Sequence, residues 1–253
     1  MLTAHAEAVW QAVAPVLPGF TVEVLPSIDS TNTELMRRAR TGPLEPVLLV
    51  AEQQTAGRGR LGRSWFSQPG QSLTFSLALP LHMHSWSGLS LAVGVSVADA
   101  LHTDVRLKWP NDLWLMGRKL GGILVETASQ GEHADGARTV VIGVGINIAR
   151  PSEAALGAPA TDALPAMAPA GLAEVLVGVT AGEVLERVVP PLARDIQLFA
   201  AHGFGAFADR FAARDALKDR LVQLSDGTLG TACGVAADGA LQVLTSQGMR
   251  PVT

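Results

Sequence analysis

Short apolar runs alternate with polar turns along the whole chain, and the period of each run assigns it to helix or strand. Val9, Trp10, Val13 and Leu17 fall on one face of a short N-terminal helix, which Pro15 and Pro18 stop. Val22 to Ile28 alternates as a strand does. The stretch DSTNTELMRRA then opens a helix, with Thr31 and Glu34 at the spacing of a capping box. Val47 to Glu52 reads as a strand running into a loop from Gln54 to Trp65, and Leu73 to Leu79 as the next strand, so the loop joins two strands of one sheet. Ser87 to His102 has helical periodicity, and Arg106 to Trp109 is extended up to Pro110. After a turn at Gly117, Lys119 to Thr127 and Thr139 to Ile148 read as strands containing Gly121, Gly122, Gly143 and Gly145. Glycines inside a strand often mark close backbone approach by a ligand.

Pro151 to Ala170 is rich in Ala and Pro and reads as a loop. Leu172 to Phe211 returns to a helical pattern, with a break expected at Pro190 and Pro191. From Leu217 onward short alternating strands are separated by turn signals at Asp226-Gly227 and Asp238-Gly239, which predicts a small β-barrel-like C-terminal domain. Strands adjacent in sequence, with few helices between them, predict an α+β fold whose sheet is mixed and mainly antiparallel. The expected division is a catalytic domain over residues 1–214 and a C-terminal domain over residues 215–253.

Composition narrows the function classes. A chain of 253 residues with 48% hydrophobic and 17% charged residues buries a full core and is not of the disordered class. Aromatics are 5% and Tyr is absent, so the core is expected to be aliphatic. A net charge of -4 argues against a broad nucleic-acid-binding face. The single cysteine, Cys233, excludes an internal disulfide and a cysteine-rich metal site, fits a reducing compartment, and is expected as a small buried hydrophobe. The N-terminus has no basic segment followed by an apolar one, and no apolar run approaches the ~20 residues that cross a bilayer. A soluble cytoplasmic protein with neither nucleic acid nor membrane as partner is expected.

The densest chemistry lies in the loop Gln54-Thr55-Ala56-Gly57-Arg58-Gly59-Arg60-Leu61-Gly62-Arg63-Ser64-Trp65. Arginines spaced by glycines can wrap an anion, since glycine lets backbone amides approach and each guanidinium offers forked donors. A solvated basic loop or an RNA-contacting arm would share this composition. Joining a carboxylate to the α-phosphate of ATP needs positive charge and alignment more than a covalent nucleophile, and no nucleophilic triad is needed. Lys119, Asn111 and Asp112 fit that need, although a surface lysine and a turn or cap Asp would look the same. Ser30, Thr31 and Asn32 include one helix cap, or together read a polar neutral ring.

In order and spacing, DSTN (Asp29 to Asn32), QTAGRGRLGRSW (Gln54 to Trp65), KWPNDLW (Lys108 to Trp114), KLGGILVE (Lys119 to Glu126) and GVGINI (Gly143 to Ile148) resemble the biotin protein ligases. The resemblance implies a catalytic domain of the class II aminoacyl-tRNA-synthetase-like, biotin-lipoate ligase type with an SH3-like barrel after it. It implies an ATP-dependent ligase that makes biotinyl-5'-AMP and passes biotin to a lysine of a biotin carboxyl carrier protein, a subunit of acetyl-CoA carboxylase or a related enzyme. By the same resemblance Ser30, Thr31, Asn32, Gln54, Arg58, Gly59, Arg60, Lys119 and Gly122 bind biotin. Arg58, Arg60, Arg63, Trp65, Asn111, Asp112, Lys119 and Asn147 bind ATP or the adenylate, and Lys119, Arg58, Arg60 and Asp112 are catalytic. Mg²⁺ is expected with ATP near Asp112, with no fixed protein metal site, and the protein is expected as a monomer or homodimer. Family members that also repress transcription carry an N-terminal winged helix-turn-helix. The residues ahead of Val22 are too few to form one, so no repressor role is expected. The barrel of such ligases would place one more short strand beyond Thr253. A lipoate ligase would share the fold but resembles its relatives around an arginine and triple-glycine motif that does not occur here. A non-catalytic biotin sensor would not need Lys119 together with the arginine loop.

Overall fold

The computed structural model describes residues 2–83, 85–128, 137–152 and 168–253. In chain order these form α1 (Leu2–Val13), β1 (Thr21–Ile28), α2 (Thr31–Thr41), β2 (Val47–Gln54), β3 (Ser72–Leu81), α3 (Leu89–Leu101), β4 (Arg106–Lys108), β5 (Asp112–Leu115), β6 (Arg118–Thr127) and β7 (Arg138–Asn147). They continue with α4 (Ala181–His202), α5 (Ala208–Ala212), β8 (Leu221–Gln223), β9 (Leu229–Val235), β10 (Leu241–Thr245) and β11 (Gly248–Val252). The loop expected over Pro151 to Ala170 falls largely outside the described residues.

Strands β1 to β7 form one seven-stranded sheet in the order β1-β2-β3-β7-β6-β5-β4. Only β1 and β2 run parallel, as a strand–helix–strand unit requires, and the other neighbours are antiparallel. Side chains alternate across the sheet. Leu48 and Val50 of β2, Phe75 and Leu77 of β3, and Ile142 and Val144 of β7 pack with α1, α3 and α4. Val47 and Leu49, Ala78 and Val141 face α2 through Leu35, Met36 and Ala39. The central strands are thus apolar on both faces because helices cover both, while α2 covers only part of its face and leaves the rest for a site.

Several expectations needed correction. The N-cap of α2 is Ser30, whose hydroxyl accepts from Thr33 N; Thr31 is already helical, and Glu34 pairs with Arg37 and Arg38 instead of closing a capping box. Helix α4 begins only at the Thr180–Glu183 capping box and runs unbroken through Pro190 and Pro191. Each proline there removes a backbone donor at about 3 kcal/mol relative to Ala. The apolar stripe Val184, Leu185, Val188, Val189, Leu192, Ala193, Ile196 and Phe199 is buried on both sides of them, and its burial outweighs that cost. Trp10 is 47% exposed and leaves the core to its neighbours, donating Nε1 to Phe20 O. Cys233 is exposed, because the alternation of β9 turns Ala232 inward and Cys233 outward.

Strands β8 to β11 form a separate antiparallel sheet in the order β11-β10-β9-β8, the SH3-like unit, closed over Ala232, Leu241 and Val243. It is tied to the larger part of the chain where Leu107 N donates to Arg214 O and Ala216 N to Leu107 O, and where Trp109 Nε1 donates to Gly239 O. No helix among the described residues is long and apolar enough to cross a membrane.

Candidate active site

On the face shared with α2, strand pairing aligns Thr74, Gly145, Gly122, Asp112 and Lys108 in one row across β3, β7, β6, β5 and β4. Two of these positions have no side chain, so the row forms a trough. The Trp65 indole lies directly on Gly145, where a Cβ would sit 2.5 Å from Cε2; Gly143 likewise leaves the space that Asn32 Oδ1 occupies. The cleft above the trough has a volume of ≈ 1000 Å³. Every predicted site residue lines it: Ser30, Thr31, Asn32, Gln54, Arg58, Gly59, Arg60, Arg63, Trp65, Asn111, Asp112, Lys119, Gly122 and Asn147.

One end is polar and neutral. Ser30, Thr31 and Asn32 are buried at the start of α2. Gln54 Oε1 accepts from Thr31 N at 2.8 Å and lies 3.0 Å from the Thr31 hydroxyl. Asn32 Nδ2 donates to Leu124 O and Glu126 Oε2, and Asn32 Oδ1 lies 2.6 Å from the hydroxyl of buried Ser76. The same strand ends anchor the arginine loop, since Thr55 N donates to Ile28 O and Ala56 N to Asp29 O. The Asp29 carboxylate accepts from Ser30 N and pairs with Arg37, and these contacts hold its pKa below the ordinary range.

The other end is cationic. The loop folds back on itself: Gly59 N donates to Arg63 O, Trp65 N to Gly57 O, and Arg58 bridges to Ser64, around a tip in which Leu61 is 89% exposed. Arg58, Arg60 and Arg63 take no carboxylate partner among the described residues, leaving their donors free for an anion. Lys119 opposes them. An irregularity in the β5–β6 register pairs Trp114 with Lys119 although Leu113 pairs with Gly121, so Leu120 turns inward and Lys119 turns onto the cleft face. Lys119 Nζ lies 2.7 Å from Asp112 Oδ1, above Gly122. Asn111 and Asn147 donate to Ile123 O and Ala170 O and so brace the cleft wall.

Residues 24–147 match the profile of the biotin/lipoate A/B protein ligase family. The bifunctional ligase/repressor BirA of Escherichia coli is 36% identical over 237 residues, covering 89% of this chain and 70% of that protein. The chain belongs to the biotin/lipoate protein ligase family. A biotin–[acetyl-CoA-carboxylase] ligase of Paracoccus denitrificans is 31% identical over 231 residues, 86% of this chain and 92% of that one. In three dimensions the chain is similar to the biotin protein ligase of Aquifex aeolicus, solved in complex with biotin and ATP, with a TM-score of 0.73 and 27% identity over 92% of this chain and 95% of that one.

Three residues not expected at the site belong to the cleft or its floor: Lys108, Ser76 and Glu126. Lys108 stands in KWPNDLW, lines the cleft and lies 4.3 Å from the Trp114 ring centroid, and its place in the motif was the available signal. Glu126 ends the KLGGILVE motif and Ser76 lies in a mainly apolar strand, but only the cross-strand pairing brings them to Asn32.

Proposed function

We propose that this chain is a biotin protein ligase that activates biotin with ATP and passes it to a lysine of a carboxylase carrier domain. The observation that carries this reading is the polarity of the cleft: a neutral hydrogen-bonding end at Thr31 and Gln54 is joined, in one trough, to a cationic end at Arg58, Arg60, Arg63 and Lys119. A small uncharged ring bearing a carboxylate tail fits that sequence of environments. In the first step a carboxylate oxygen forms a bond to the α-phosphorus, the bond to the β-phosphate oxygen breaks, and pyrophosphate leaves. Ser30, Thr31, Asn32 and Gln54 hold the ring. Arg58, Gly59, Arg60 and Lys119 gather the carboxylate and α-phosphate, two anions that repel until positive charge surrounds them. Gly122 leaves the space in which Lys119 crosses to them.

Arg63, Trp65, Asn111 and Asn147 form the nucleotide side. Among the described residues lining the cleft Asp112 is the only acidic one, and its Oδ2 remains available beside the Lys119 pair. One carboxylate with substrate phosphates is a fitting set for Mg²⁺, which would offset phosphate charge. In the second step the carrier's ε-amine attacks the mixed anhydride, AMP leaves, and Asp112 is placed to take the amine proton. We assign the catalytic domain to residues 1–214 and the C-terminal domain to residues 215–253. Dependence on ATP and a single cysteine fit the cytoplasm.

The test is incubation with ATP and either biotin or lipoate, followed by mass spectrometry. Biotinyl-AMP with biotin alone is the expected product. Lipoyl-AMP, or no acyl-AMP, overturns the assignment.

A further inference from the structure

Beneath the polar end of the cleft lies a chain of oxygens with fewer protons than contacts. Ser76, wholly buried in β3, has its hydroxyl 2.6 Å from Asn32 Oδ1 and 2.7 Å from Thr31 Oγ1. The Thr31 hydroxyl in turn lies 3.0 Å from Gln54 Oε1. Each hydroxyl supplies one proton, so two protons serve three oxygen–oxygen contacts.

The surroundings decide where they go. Asn32 Nδ2 is fixed by its two acceptors, Leu124 O at 3.3 Å and Glu126 Oε2 at 2.9 Å, so the side chain cannot flip and Asn32 Oδ1 faces Ser76. Asn32 is 4% exposed, and an unmet buried acceptor is costly, so the Ser76 proton goes to it. Ser76 Oγ then needs a donor at 2.7 Å, and Thr31 is the one in place. Gln54 Oε1 has Thr31 N as a donor at 2.8 Å and offers the Thr31 hydroxyl only the longer contact, 3.0 Å against 2.7 Å to Ser76, where two oxygens without a proton between them would repel most. The Thr31 proton is therefore committed away from the cleft, and toward a ligand Thr31 presents only lone pairs.

We propose that Ser76 is a positioning residue that sets the polarity of the ring-binding row: by holding the Thr31 proton it makes Thr31 an acceptor, selecting a ring that offers an N–H there. This rests on the assignment of Thr31 and Gln54 to the ring of biotin, a cyclic urea with two N–H groups. A site built to receive an N–H discriminates strongly against an analogue without it, because its own polar atoms are left unpaired. Without Ser76 the Thr31 hydroxyl is free to divide its proton between Gln54 Oε1 at 3.0 Å and the ligand side, weakening both binding and discrimination.

The experiment compares the full-length wild type with Ser76→Ala. The substrates are biotin and the two cyclic carbamate analogues in which one ring N–H is replaced by oxygen. Thermal melting is followed alongside, and Ser76→Cys serves as a second variant if the alanine form melts below the assay temperature. Expected for Ser76→Ala is a KM for biotin raised about tenfold or more, with kcat and KM for ATP within about twofold of wild type. Selectivity for biotin over the more strongly rejected carbamate should fall. An unchanged KM for biotin overturns the proposal, as does a joint rise in both KM values with a lowered Tm, which marks Ser76 as merely structural. If the wild type forms no biotinyl-AMP, it is the ligase reading that fails.

Discussion

Replacing Gly145 by Ala probes the contact that seats the arginine loop on the sheet. The new Cβ would lie 2.5 Å from Trp65 Cε2, 2.6 Å from Cζ2 and 2.9 Å from Nε1. Non-bonded carbons rest about 3.5–4.0 Å apart, so the ring must retreat by about 1 Å. It does not retreat alone. Trp65 N is bonded to Gly57 O at 2.8 Å, and Trp65 O packs so close to Gly57 that a Cβ on Gly57 would sit 2.5 Å away. The displacement passes into the segment that carries Arg58, Arg60 and Arg63. Overpacking of this kind costs about 1–3 kcal/mol. Expressed as binding of the nucleotide, that is roughly a 5- to 150-fold rise in KM for ATP. KM for biotin should rise less, since Thr31 and Asn32 at the ring end are held by α2 and only the carboxylate contacts of Arg58 and Arg60 shift. Gly205→Ala is the control for folding, because a Cβ there meets no atom within 4 Å and lies away from the cleft. The assay is pyrophosphate exchange at varied ATP, with thermal melting of each variant. A wild-type KM for ATP in the Gly145→Ala protein refutes the seating argument; a lowered Tm at unchanged KM would place the strain in the sheet.

Lys119→Ala should lower the rate of adenylate formation by about 10²–10³-fold while leaving Tm nearly unchanged, because a pair as open as Lys119–Asp112 contributes only about 0–1 kcal/mol to stability; normal pyrophosphate release would sink its assignment. Asp215 has one buried oxygen without a hydrogen-bond partner, and burial raises its pKa above the ordinary value of 3.8. A raised folded pKa means that stability is fully present below pH 3.8 and is lost as pH rises through the folded value. Asp215→Asn should therefore raise Tm at pH 7 but not near pH 3, as melting curves at the two pH values would reveal. Pro191→Ala restores a backbone donor inside α4 and should stabilise by about 1–2 kcal/mol; a denaturant midpoint below that of the wild type would contradict the account of how the helix tolerates its prolines.

The order of elements was legible in the sequence because apolar period and turn chemistry act over a few residues. β1 to β4, β6, β7, the helix over 89–101 and the turns at Gly117, Gly227 and Gly239 fall where the pattern puts them, whereas β5 had no strand signal of its own. Every site residue named from the motifs lines the cleft, since each sits in or beside a locally readable strand, helix or loop. Failures came where burial across long sequence distances outweighed local preference. Helix α4 survives Pro190 and Pro191 because α1 and α3 pack on it, and Ser30 takes the cap because Thr31 is claimed by Gln54 and Ser76. The sequence alone determined which side chains could do the chemistry. Only the tertiary structure decided how they meet: the row from Thr74 to Lys108 that makes glycines into a trough, the irregular pairing that turns Lys119 into it, and the buried hydroxyl of Ser76 beneath the ring-binding end. Those depend on cross-strand register, which joins residues tens of positions apart and leaves no period in the chain.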